Sequence, residues 1–247
     1  MSLPPPSDHF QGKQVAEHLK EARTRGFLAS SEVHGVEAPG HFSAAADAAR
    51  DTVFVLLIGF IAFPSAQTVL FLLLLASGWA IWKTSRSALL GWSRMERLHR
   101  VTEQERWEIQ HNRAQEREEL TALYRTKGLE GKLLEEVIDV LMADDNRLLH
   151  IMLEEEMGLT LEREEHPLKQ ACGALAGVVV ATAVCLLGYQ SSSKHGFFWS
   201  SAIVLILSTL ATAKLERNRV LPTMIWTLAT AALIGGVVHY LAPLVYG

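Results

Sequence analysis

The sequence has little cysteine, little net charge and no recognisable secretory leader. Its two cysteines, Cys172 and Cys185, fall within one apolar stretch. On one helix they would lie about 20 Å apart, which is too far for a disulfide. The formal net charge of -4 argues against nucleic acid as a partner. The first ten residues lack a charged head followed by an apolar run, so we expect no secretory signal.

Apolar and acidic residues occupy different parts of the chain, although hydrophobic residues make up 49% of the whole. Helical membrane spans need about 20 apolar residues. Five stretches approach or reach that length, at residues 42–63, 66–82, 168–189, 197–213 and 221–245. The first stretch reaches about 20 residues only when its alanine-rich half is included, and that half carries Asp47, Arg50 and Asp51. We therefore expect an all-α membrane protein with about five transmembrane helices.

Basic residues indicate how these spans are oriented. They are frequent just after the second span and again in the short loop at residues 214–219. The positive-inside rule then places the acidic middle segment and the N-terminus in the cytosol. The chain is predicted to begin with a polar N-terminal segment at residues 1–41, followed by transmembrane helices 1–2 at residues 42–83. A cytosolic helical metal-binding domain at residues 84–166 then precedes transmembrane helices 3–5 at residues 167–247. A short amphipathic helix is predicted at about residues 12–25.

The middle segment is acidic, with 18 Asp and Glu against 8 Lys and Arg in residues 103–165. We expect three helices there. The first continues from the second span to about residue 126, before Gly128 as a helix stop. The second covers about residues 131–142, and Asp144 or Asp145 can cap the third.

Four glutamates of the first of these helices share one face if that helix is continuous. They are Glu105, Glu108, Glu116 and Glu119. At about 100° per residue they fall within about 80° of one another. Carboxylates in such a row repel one another, and divalent cations such as Fe²⁺, Mn²⁺, Mg²⁺ or Ca²⁺ relieve the repulsion. The alternative is a solvated acidic face, partly neutralised by Arg106, Arg113 and Arg117.

Further candidate ligands follow in the segment MLEEEM at residues 152–157. The thioether of Met152 is a soft ligand that suits transition metals, and Glu156, four residues on, shares its helix face. A buried core methionine is the alternative. Glu108 and His111 have the E-x-x-H spacing of ferritin-like di-iron bundles, which use two such pairs.

Several motifs occur together with this layout. They are E-x-x-E-L-x-x-L-Y-x-x-K-G-L at residues 116–129, M-x-x-x-E-x-G-L at residues 152–159, Pro167 at the start of the third span, and Gly235, Gly236 and Tyr240 in the last span. In these features the chain resembles the vacuolar iron transporter family, also called the VIT1/CCC1 family. The resemblance covers about residues 66–247.

The resemblance implies a homodimeric carrier in the lipid bilayer that moves Fe²⁺ or Mn²⁺ out of the cytosol, in exchange for protons. It implies no enzyme activity and no prosthetic group, since the divalent metal ion is cargo. Its cytosolic helices would hold metal through glutamates and methionines. Carried over by position, these ligands are Glu105, Glu108, Glu116, Glu119, Met152 and Glu156.

The first two spans depart from the family pattern. The second span, at residues 66–82, has no Asp, Glu or Met. The first lacks the family's G-x-N-D-G-like segment, so Asp47 and Asp51 are the remaining candidates for an ion path. Two other functions stay open. One is a membrane-anchored ferritin-like metal-binding or oxidase module, and the other is a family member that has lost transport.

Overall fold

The structure is a computed structural model, and it describes residues 14–30, 40–64, 67–159, 166–215 and 218–246. These residues are nearly all helical, and no strand occurs among them. The helices are α1 (Val15–Ser30), α2 (His41–Ala62), α3 (Thr68–His111), α4 (Arg113–Thr126), α5 (Gly131–Met142), α6 (Asp145–Ile151), α7 (Pro167–Leu215) and α8 (Val220–Tyr246). A π-helical turn, Met152–Glu156, follows α6. The predicted all-α class is confirmed.

Two compact units divide the chain. The apolar unit comprises Val36–Trp92 and Glu165–Gly247, and the acidic unit comprises Met1–Gly35 and Ser93–Glu164. Helix α3 begins in the first and ends in the second. Helix α1 is grouped with the acidic unit.

Four helical segments in the described part of the chain are long and apolar enough to cross a membrane. They lie in α3, in the two halves of α7 (Pro167–Ser192 and Lys194–Leu215) and in α8 (Val220–Leu244). Helix α2 has 22 residues but carries three charged side chains, so it is not among them. The chain is an integral membrane protein, and the total of five spans stays a prediction.

Helix α7 reverses direction near its middle. Its 49 residues would be about 74 Å long if straight. However, Cys185 Sγ lies only 3.6 Å from Ser201 Oγ, 16 residues further on. The reversal brings Gly188 and Gly196 together, and a Cβ at Gly196 would lie 1.9 Å from the Gly188 carbonyl oxygen. The two spans predicted on either side of residues 190–196 are therefore antiparallel.

Helix α2 packs closely on the first half of α7. A Cβ at Gly173 would lie 2.1 Å from the His41 carbonyl oxygen, and one at Gly177 would lie 2.1 Å from that of Ala45. Only glycine permits such backbone approach. The alanine-rich half of α2 completes this contact, because Ala44 and Ala48 are buried against α7. Small residues on both helices thus explain how a charged helix is held inside the apolar unit.

Several helix ends in the acidic unit follow the predicted signals. Gly128, with φ of 90°, follows the end of α4, and α5 covers the predicted residues Gly131–Met142. The Asp144 side chain caps α6 by accepting a hydrogen bond from the Arg147 backbone N–H at 2.8 Å. Apolar side chains of α4, α5, α6 and the π-helical turn form the core of this unit.

One prediction for the acidic unit is wrong. The helix that leaves the second span does not continue to residue 126, because α3 ends at His111 and α4 begins at Arg113. The residue between them, Asn112, has φ of -122° and ψ of 30°, outside the helical region. The four glutamates therefore belong to two helices, with Glu105 and Glu108 on α3, and Glu116 and Glu119 on α4.

Candidate metal centre

Three glutamates converge inside the acidic unit. Glu105, Glu108 and Glu116 each place one carboxylate oxygen within 4.8 Å of the other two, and all three side chains are buried. Glu105 and Glu108 are three residues apart and share a face of α3. On an unbroken helix Glu116 would lie about 16 Å from Glu105 along the axis. The helix break at Asn112 therefore allows the oxygens of these three glutamates to come together.

The electrostatics of this group are those of crowded, desolvated acids. The pKa of Glu116 is raised from 4.5 to about 11. Burial is the largest cause, and the negative charges that add to it are those of Glu105, Glu119, Glu156 and Glu108. At neutral pH the Glu116 carboxyl therefore keeps its proton unless a cation takes its place.

A second group combines an imidazole with two carboxylates. His18 on α1, Glu119 on α4 and Glu156 in the π-helical turn each offer one ligand atom within 4.8 Å of the others. His18 Nε2 lies 3.4 Å from Glu119 Oε1. All three side chains are buried. The charges of Glu119 and Glu156 contribute to the raised pKa of Glu116, so the two groups are close neighbours.

His18 is absent from the ligand set predicted from the sequence. The predicted N-terminal helix exists as α1, and His18, Leu19 and Ala22 are buried on it. Residues at i, i+1 and i+4 share one helix face, so His18 belongs to the apolar side of an amphipathic helix. This position on the helix is the only signal in the sequence that could have identified His18 as a ligand, and it is equally typical of a buried core histidine.

Met152 and Glu156 begin and end the π-helical turn. The Met157 backbone N–H donates to the Met152 carbonyl at 3.2 Å across the turn. Met152 is fully buried in the apolar core beside Leu148 and Leu153, so its role as a metal ligand stays a prediction. Single π-helical turns frequently occur at functional sites, and this one carries Glu156, which has a carboxylate oxygen within 4.8 Å of a His18 ring nitrogen.

The three arginines considered as neutralising partners pair with other carboxylates. Arg106 pairs with Glu103 on the same helix. Arg113 lies 2.6 Å from Asp145. Arg117 lies 2.5 Å from Asp139. The pairs of Arg113 and Arg117 link α4 to α6 and α5, and the Glu108 carboxylate accepts a hydrogen bond from the Gln104 side chain at 2.8 Å.

Glu108 and His111, the pair with E-x-x-H spacing, do not form a di-iron centre. His111 is exposed, and its ring stacks on Trp107 with centroids 4.1 Å apart. The sequence holds a further pair of this spacing, Glu96 and His99, and both side chains are exposed. The structure therefore offers no support for the ferritin-like oxidase.

Asp47 and Asp51, the candidates for an ion path, both contact cations inside the apolar unit. Asp47 pairs with Arg50 on α2. Asp51 Oδ2 lies 2.8 Å from the Nζ of Lys83 on α3. Lys83 is buried, so it is a partner of Asp51 rather than a side chain exposed at the membrane surface.

Helical spans joined to a unit of buried, convergent carboxylates define an integral membrane protein with a candidate cation site. The model of the VIT family matches residues 89–243, more than half of the sequence, and the chain belongs to this family. Its members are metal-ion transporters rather than enzymes. The match begins after residues 66–82, the divergent second span. A comparison with curated proteins gave no match.

Proposed function

We propose that this chain carries Fe²⁺ or Mn²⁺ across a membrane, out of the cytosol, and that the acidic unit is its cytosolic metal-binding domain. The observation that carries the proposal is the convergence of the buried carboxylates of Glu105, Glu108 and Glu116. It occurs in a member of a family of metal-ion transporters.

These carboxylates are buried and close together. Removing an ion from water costs several kcal/mol in a protein interior, and neighbouring negative charges add repulsion. A divalent cation offsets both costs at once, because it binds the same oxygens that repel one another. Carboxylate oxygens suit Mn²⁺ and Fe²⁺, and a metal ion that binds Glu116 would displace the proton that its raised pKa retains.

The direction of transport rests on the distribution of charge. Arg94, Arg97 and Arg100 follow the apolar part of α3, and basic residues near span ends favour the cytosolic side. A bilayer and a second copy of the chain are the proposed partners of the apolar unit. In support, no residue of the apolar window of α8 is buried within the described chain.

A second candidate function is that of a family member that binds metal without transporting it. The pairing of Asp51 with Lys83 favours it, because a lysine already neutralises that carboxylate. Asp47 is likewise paired with Arg50. In this case the acidic unit would bind Mn²⁺ while the apolar unit would give no flux.

Uptake of Mn²⁺ and Fe²⁺ into proteoliposomes tests the proposal. We expect wild-type uptake from the side of the acidic unit, and a loss of about 10- to 100-fold at low metal concentration in a Glu116→Gln, Glu119→Gln double variant. Glu118→Gln is the matched control, because Glu118 is exposed on the same helix. Metal binding without any wild-type flux would favour the second candidate. Flux lost in Asp51→Asn would argue against it.

A further inference from the structure

We propose that His18 of α1 joins Glu119 and Glu156, two of the ligands that the family resemblance implies, in a metal site of mixed nitrogen and oxygen chemistry beside the all-carboxylate group of Glu105, Glu108 and Glu116. This inference rests on the proposed function, since it assigns a ligand and a selectivity to the same metal-binding domain. Its ligands come from α1, α4 and the π-helical turn.

The geometry suits one ion. Ligands about 2.1 Å from a transition metal are separated by about 3.0–3.4 Å at octahedral or tetrahedral angles. His18 Nε2 and Glu119 Oε1 already lie 3.4 Å apart, and the Glu156 oxygen lies within 4.8 Å of both. Small side-chain movements would bring all three to one centre.

The charge balance also favours a divalent ion over a simple ion pair. His18, Glu119 and Glu156 are 7%, 1% and 2% exposed. A divalent ion at their centre would add two positive charges beside the two carboxylates. A neutral imidazole with two carboxylates and one divalent ion has no net charge, so the desolvation cost of the group is then smallest.

The position of His18 is fixed by packing, as a ligand requires. Ala22, one turn further along α1, is fully buried in the core of the acidic unit. This contact holds α1 against the unit from which Glu119 and Glu156 project. The N-terminal helix thus becomes part of the metal-binding domain.

The two groups would differ in selectivity. Three carboxylates accept hard ions such as Ca²⁺ and Mg²⁺ as well as Mn²⁺ and Fe²⁺. Imidazole favours first-row transition metals over Ca²⁺ and Mg²⁺. The group with His18 would therefore discriminate transition metals from the abundant divalent ions of the cell.

Mn²⁺ binding to the purified full-length chain in detergent tests this assignment. Titration calorimetry gives the number of ions, and pulsed electron paramagnetic resonance detects a nitrogen bound to Mn²⁺. We expect two ions per chain and a nitrogen signal that survives excess Mg²⁺. His18→Gln should lose the signal and one ion, with unchanged helicity and an unchanged melting temperature in a chelator. His150→Ala, at an exposed histidine of α6, should keep the signal.

The outcomes separate this inference from the proposed function. A wild-type chain that binds Mn²⁺ without a nitrogen signal, or a signal that persists in His18→Gln, would overturn the second site and leave the proposed function standing. A wild-type chain that binds no Mn²⁺ would overturn both.

Discussion

At the scale of single residues, the buried glutamates combine a stability cost with a binding function. Glu105, Glu108 and Glu116 are buried with their oxygens together, so their negative charges repel one another. A cation bound by these oxygens would relieve that repulsion. The exposed acids of the same helices, such as Glu118, carry no such cost.

The raised pKa of Glu116 predicts how the stability of the metal-free protein depends on pH. Because its folded-state pKa of about 11 lies above the ordinary 4.5, its contribution is complete below pH 4.5 and is lost as pH rises toward 11. The slope is at most about 1.4 kcal/mol per pH unit. We expect the apparent melting temperature to fall from pH 5 to pH 9, and Glu116→Gln to flatten this dependence.

Thermal unfolding of the detergent-solubilised chain in a chelator measures this effect. Glu118→Gln should keep the wild-type slope, because its side chain is exposed on the same helix. Equal slopes for the wild type and Glu116→Gln would contradict the prediction.

At the scale of elements, one helix break and one close contact shape the two units. The break at Asn112 divides the acidic stripe between α3 and α4. The close contact of α2 with α7 at Gly173 and Gly177 leaves no room for a Cβ. Both features concern backbone geometry, which sets where the charged side chains are placed.

The contact between α2 and α7 predicts a strong effect of a single methyl group. In Gly173→Ala the new Cβ would meet the His41 carbonyl oxygen at 2.1 Å, so α2 must shift. We expect a loss of about 1–3 kcal/mol in the free energy of unfolding, as for overpacked cores. Gly236→Ala is the control, because nothing lies within 4 Å of its Cβ. Denaturation in detergent compares the two, and equal stability would show that the contact tolerates a methyl group.

At the scale of the whole molecule, metal binding and folding of the acidic unit should be coupled. A ligand at 100 times its dissociation constant stabilises the folded state by about 2.7 kcal/mol. We expect Mn²⁺ to raise the melting temperature of the full chain and a chelator to reverse the change. A Glu105→Gln, Glu108→Gln double variant should lose most of this gain. A melting curve that does not respond to Mn²⁺ would count against the metal-binding domain.

Local sequence signals predicted much of the fold correctly. Apolar length marked the spans in α3, α7 and α8, and Gly128 and Asp144 marked helix ends in the acidic unit. These signals work because hydrophobic length and capping chemistry act within a few residues. The break at Asn112 was not predictable in this way, since Arg113, Ala114 and Gln115, which follow it, are good helix formers.

The sequence by itself determined the membrane class, because apolar length is a local property, and its motifs indicated the family. Only the tertiary structure decided how Glu105 and Glu116 meet, since their contact needs a broken helix rather than a continuous stripe. It also decided that His18 faces Glu119 and that Lys83 faces Asp51. Contacts between residues far apart in the chain follow from packing, and no local pattern records them.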